Sequence, residues 1–166
     1  MTDARWTDVE DDLAAAVHHF GNAARLYDAG GFDDPDLDGY RARMGLQHAM
    51  QAGYTSLEGA LHRVLDILGE EVPTGPSSHA DLVKRLSRAV TLPGRFRPAI
   101  LTPDVAADVD EARRFRHRAA HDYDSFAPQR AAPSIEAARR LAGSLAPCIR
   151  LFRDRIDPPA APSPGA

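Results

Sequence analysis

Between Phe115 and Phe126 the chain reads FRHRAAHDYDSF, crowding Arg116, His117, Arg118, His121, Asp122 and Tyr123 into one short stretch. An imidazole gives or takes a proton near neutral pH, and a guanidinium presents a planar fork of donors to a phosphate. Together they suit phosphodiester chemistry. In the cleavage of RNA, a base removes the 2'-hydroxyl proton while a cation stabilises charge on the phosphorus oxygens, and no metal is needed if both groups are positioned. Arg116 and His121 are the pair for that task. They stand five residues apart, about 140° round a straight helix, so a single helix presents them poorly to one phosphate. The reach of arginine helps, and a second copy of the helix across a two-fold axis helps more.

The plainer reading is a solvated helix face, with Arg118 and Asp122 as an ordinary i, i+4 ion pair. Two placements argue against it. His117 and His121 share one face and Arg116 and Tyr123 share another, so polar groups surround the helix where a core face belongs. Some of them are therefore expected to be buried or at an interface.

Other chemistry-bearing residues have plainer roles. His117 and His121 have the spacing of metal ligands, but no acidic or cysteine third ligand is indicated, so neither a metal nor a cofactor is expected. Cys148, beside Pro147, reads as a small core residue. His18, His19 and His48 read as isolated, exposed or packed. His79 is a loop anchor, a helix cap or a site residue. Arg95 and Arg97 read as a solvated loop, with a basic rim for RNA as the alternative. Glu58 reads as a surface carboxylate, with pairing to Arg116 as the alternative. No Gly-rich phosphate loop or G-x-S-x-G is present.

The elements that must position these groups follow from hydrophobic spacing. Val9, Leu13, Ala16, Val17, Phe20, Ala24 and Tyr27 mark one face of a helix over about 7–28, stopped by Gly30-Gly31. A longer stripe runs from Tyr40 and Met44 through Tyr54, Leu57, Leu61 and Leu65 to Leu68. Gly45, Gly53 and Gly59 weaken that helix by ~1 kcal/mol each relative to alanine, and permit close packing or a bend. Ser78 is placed to cap a short helix carrying Leu82, Leu86 and Val90. Thr102, Pro103 and Asp104 give cap, first-turn proline and first-turn acid, so the crowded helix starts there. Pro128 and Pro133 close that region. A last helix carries Ile135, Ala138, Leu141, Leu145, Ile149 and Phe152, with Pro147 as a kink.

No strand-period segment and no repeat is visible, and the fold class is all-α: a single-domain antiparallel bundle of about five helices. The expected division is an N-terminal helix and loop at 1–36, a bundle at 37–156 against which that helix packs, and a disordered tail at 157–166. The 166 residues suffice for one core, and 20 basic against 24 acidic residues give a net charge of −4, so no global attraction for polyanions exists. One cysteine and the lack of a basic, then apolar, start suggest a cytoplasmic setting. No apolar run approaches the ~20 residues of a membrane span.

Arg116, four residues, His121, one residue, Tyr123 spells R-x-x-x-x-H-x-Y, which resembles the HEPN superfamily and in particular the HepT-like ribonuclease toxins. FRHRAAHDY is similar to the F-R-H-x-x-R-H-x-Y core of one branch, and GEEVPTGPSSHADLVKRL and RFRPAIL are similar to its upstream segments. The likeness spans about 45–156. It implies a bundle that forms a homodimer through its motif helices, with paired Arg116 and His121 lining a cleft that cuts RNA without metal. It further implies a nucleotidyltransferase antitoxin as partner, adenylylating Tyr123. His117, Arg118 and Asp122 are candidate supporting residues beside the motif. His117 stands where many members have a polar amide and Ala120 where the branch often has arginine, and these departures motivate the alternative of a catalytically weak or inactive module that binds RNA, nucleotide or protein.

Overall fold

The computed structural model describes residues 4–121 and 127–158; within them, the side chains of Leu92, Ala120, His121 and Pro128 are not described. Among the described residues five helices form, in chain order: α1 (Ala4–Ala29), α2 (Leu37–Leu68), α3 (Ser78–Leu86), α4 (Pro103–His121) and α5 (Pro128–Ile156). Between α3 and α4 lies a hairpin of β1 (Val90–Leu92) and β2 (Arg95–Arg97). The bundle is all-α apart from that hairpin.

Local chemistry sets the helix ends. The Asp36 carboxylate accepts from the Gly39 amide at 3.0 Å and starts α2. Gly69, at φ +66°, ends it in a left-handed turn, with its amide on Asp66 and that of Glu70 on the Leu65 carbonyl. Thr102 caps α4 as its sequence predicts, its hydroxyl accepting from the Val105 amide at 3.4 Å. At α3 the cap position falls on Ser77, not Ser78, and the Ser77 hydroxyl binds Asp81 at 2.6 Å instead of a backbone amide.

Ion pairs between helices fix their directions. Early α1 meets late α5 through Glu10 with Arg150 (2.7 Å) and Arg153 (3.1 Å), and late α1 meets early α5 through Asp28 and Arg139 (2.9 Å). Likewise Asp108 of α4 grips Arg140 of α5 (2.7 Å), while Glu111 accepts from Ser134 (2.7 Å). Those pairings run antiparallel. On α2, Arg63 reaches Asp12 at 2.8 Å, and Gly53 faces Phe20, where an added Cβ would stand 2.8 Å from the ring. That glycine therefore serves close packing of α1 on α2, one of its two expected uses. The core is one continuous cluster, including Trp6, Leu13 and Phe20 of α1, Tyr54 and Leu61 of α2, and Leu141 and Ile149 of α5.

Further expectations need correction. The hairpin pairs Val90 with Arg97 and Leu92 with Arg95 across Pro93-Gly94; strands of three residues are too short to show a period of two, so no strand pattern was visible. Gly94, at φ +73°, makes the turn. The chain after α4 is not closed by both prolines, because α5 begins at Pro128 and continues through Pro133 and Pro147. Proline is favoured at a first helical position, and the backbone bond lost at Pro133 is offset by burial of Ala131, Ser134 and Ile135 beside it. Arg97 is not solvated. It is buried, with Nε donating to Glu70 at 2.5 Å and Nη1 donating to the carbonyls of Arg88 (3.1 Å) and Pro98 (3.0 Å).

Cys148 is the small core residue expected, its thiol donating to the Ile100 carbonyl. Tyr40, the first residue of the α2 stripe, is instead exposed. No helix among the described residues is long and apolar enough to cross a membrane.

Candidate functional site

On α4, Ala112, Phe115 and Ala119 continue the buried stripe begun by Val105 and Val109. A core face therefore does exist on this helix. Arg116, one residue past Phe115, lies at the edge of that stripe and is half-buried over α2. Its guanidinium carbon stands 5.5 Å from the centre of the Tyr54 ring, a cation on an aromatic face. Its Nη1 lies 3.5 Å from Oε2 of Glu58, one turn further along α2. The pairing of Glu58 with the motif arginine, the less expected alternative, is the arrangement found. Only 14% of the Glu58 side chain is exposed.

The second oxygen of the same carboxylate is also used. His79, in the first turn of α3, makes a hydrogen bond from Nδ1 to Glu58 Oε1. Its ring also meets the edge of Tyr54, centre to centre 6.2 Å. One carboxylate thus ties an imidazole from α3 to a guanidinium from α4, and one aromatic ring braces both. Burial first, and then the negative charge of Glu58, push the Tyr54 phenol above its ordinary range. Tyr54 therefore stays protonated and contributes a neutral ring.

These groups open on a groove of about 310 Å³ lined by Pro76, Ser77, His79, Ala80, Arg113, Arg116 and His117. Arg113 is held beside it by Asp110 at 2.8 Å. The groove gathers cationic and proton-transferring groups from two helices, with Glu58 behind them. Such a lining can receive an anionic oxygen on its guanidinium and exchange protons through its imidazoles. Among the described residues no cluster of His, Cys, Asp or Glu could hold a metal ion.

The other expected site residues divide. His117 lines the groove and is exposed. Arg118 turns away to the α5 side, where Nη2 donates to Ser134 Oγ at 2.8 Å and lies 3.3 Å from Glu111 Oε1. Ser134 is fully buried, so Arg118 is tied into the α4–α5 contact. The backbone of His121 ends α4, and its side chain lies outside what is described. Asp122 and Tyr123 lie outside the described residues.

Elsewhere the helix histidines prove less isolated than their spacing suggests. The His19 ring lies 5.5 Å from His18 and 6.2 Å from His48 of α2. Burial, then the charges of His18 and His48, lower the pKa of His19.

Against known families, a model described as HepT-like protein matches residues 45–156. That range contains all the groove-lining residues. Among curated proteins and among solved structures, nothing matches.

Proposed function

The chain belongs to the HepT-like family, and from that premise we propose that it is a metal-independent endoribonuclease, with Arg116 binding the scissile phosphate and His121 transferring a proton. The observation carrying this reading is the half-buried Arg116, positioned by Tyr54 and Glu58 at the wall of a groove that it shares with two histidines. A guanidinium has five N–H donors, and the contact to Glu58 engages Nη1 alone, so others can serve a phosphate.

The working unit in this reading is a homodimer whose two α4 helices meet and join their grooves. The protein acts as the toxin of a toxin–antitoxin pair. Its antitoxin is a nucleotidyltransferase that adenylylates Tyr123, blocking the cleft with bulk and negative charge.

The test uses chelator-stripped protein and single-stranded RNA or tRNA. Cleavage leaving 2',3'-cyclic phosphate ends is expected, and Arg116→Ala and His121→Ala should each lower it by about 100-fold or more. Cleavage undisturbed by both changes would sink the assignment. The dimer is read separately by sedimentation, and the modification by the mass of Tyr123-containing peptides after co-expression with the partner.

One observation favours a second reading. The charge of Arg116 is partly answered by Glu58 within the subunit, and Ala120 adds no cation where the family branch often has one. A module that binds RNA without turnover would have this balance. Unimpaired growth on expression of the wild-type protein, together with tight RNA binding, would select it.

A further inference from the structure

Resting on the ribonuclease reading above, we propose that His79 is a second proton-transfer group of the same site, contributed by α3 and oriented by Glu58. Transfer of RNA to its 2',3'-cyclic phosphate needs two proton movements. The 2'-hydroxyl loses its proton to a base as O2' bonds to phosphorus. The P–O5' bond then breaks, and O5' takes a proton from an acid to leave as a hydroxyl. With His121 as one of these groups, the other must come from the groove, where His79 and His117 stand and His79 is the one held by a carboxylate.

His79 has the features such a group needs. Its Nδ1 is engaged by a carboxylate that is mostly buried, which fixes both ring orientation and tautomer. A carboxylate behind an imidazole also stabilises the imidazolium formed during transfer. The opposite ring nitrogen, Nε2, makes no hydrogen bond among the described residues, and the side chain is 44% exposed on the groove. The carboxylate that holds His79 also contacts Arg116. Imidazole and guanidinium are thereby held at the two oxygens of one group, on the same wall. His79 lies outside the R-x-x-x-x-H-x-Y pattern, and only the packing of α3 on α4 brings it there.

The charged and titratable groups facing His79 come from three elements. Glu58 and Tyr54 belong to α2, Asp81 stands behind Ser77 on α3, and Arg113, Arg116 and His117 come from α4. Tyr54 stays neutral, so within this set the proton-exchanging candidates are the imidazoles and the two carboxylates.

The decisive variant is His79→Asn, whose amide can still donate to Glu58 from the position of Nδ1 but has nothing in place of Nε2. A purely structural His79 would be replaced well by it. His79→Ala, which loses both functions, is measured beside it, with thermal unfolding to confirm that each variant folds. The substrate is a uridine–adenosine dinucleotide, and kcat/KM is followed between about pH 5 and 9, the range in which imidazoles titrate.

For the wild type a bell-shaped profile is expected. For His79→Asn the rate should fall by about 100-fold or more, and one limb of the bell should flatten. Wild-type rate in His79→Asn, or a profile keeping both limbs, would overturn the role of His79 while leaving the ribonuclease reading intact. A wild-type protein that does not cut RNA at all would overturn both.

Discussion

Two arginine–glutamate pairs join α2 and the turn that ends it to later parts of the chain, and they differ in everything except composition. Arg97 is almost entirely enclosed and Glu70 mostly so; the guanidinium reaches both carboxylate oxygens and two backbone carbonyls, so Nε, Nη1 and Nη2 are all used. Arg116 and Glu58 touch once, at 3.5 Å, with 36% of the arginine side chain exposed. The first pair locks the hairpin to the end of α2. The second holds a cation in place while leaving it donors to offer. Saturation of the donors, more than burial alone, separates an arginine that builds the fold from one that can receive a ligand.

Breaking each pair should therefore give opposite readouts. Arg97→Ala leaves Glu70 mostly buried without its cation, and removal of one partner of a buried pair costs roughly 3–5 kcal/mol. Urea denaturation should show that loss, whereas RNA cleavage per folded molecule should hold. Arg116→Ala should reverse the pattern. Glu58 keeps His79 as a partner, so stability should change by about 1 kcal/mol or less, while cleavage falls by about 10²–10³-fold, the usual cost of removing one preorganised donor to a developing oxyanion. Equal stability losses in the two variants would erase the distinction between the pairs.

The same contrast explains what could be read from the chain beforehand. Thr102-Pro103-Asp104 announced the start of α4, and the spacing of apolar residues announced α1, α2 and α5, because capping and periodicity are local. Arg116 was legible as a candidate site residue from its neighbours in sequence. Of its partners, Glu58 was named only as an alternative, and Tyr54 and His79 were not linked to it. Glu58 lies 58 residues before Arg116 and 21 before His79. A helical period says which residues share a face, but it does not say which other helix that face meets. Arg97 was misread for the same reason: a Pro/Gly-rich stretch looks solvated until Glu70 is brought to it. Tyr123 rests on the family likeness alone, and Asp122 on its spacing from Arg118.

A smaller effect probes the scaffold that carries both pairs. At Gly53 an added methyl would stand 2.8 Å from the Phe20 ring, so Gly53→Ala forces α1 and α2 apart or twists the ring. Overpacking of this kind costs typically 1–3 kcal/mol, partly offset by the ~1 kcal/mol gain in helix propensity. A net loss of about 1 kcal/mol in denaturant unfolding is expected. A stabilised variant would show that α1 is not held tightly against α2 at this point.

The smallest effect expected is one of pH, and it belongs to a cluster that neither arginine touches. His19 lies beside His18 and His48, and burial, followed by their charges, lowers its pKa in the fold. An unfolded chain binds the proton at about pH 6.5, whereas the folded chain waits for a lower pH. Between those two values the unfolded state holds more protons, so stability falls as the pH drops. The contribution of His19 is fully present above about pH 6.5 and has gone once the pH has passed below the folded value. His19→Gln removes the titration while keeping a polar side chain of similar reach. Denaturant midpoints measured from about pH 7.5 to 5 should then show a shallower decline than in the wild type. Identical slopes would mean that the three rings can spread apart and accept protons as readily in the fold as out of it.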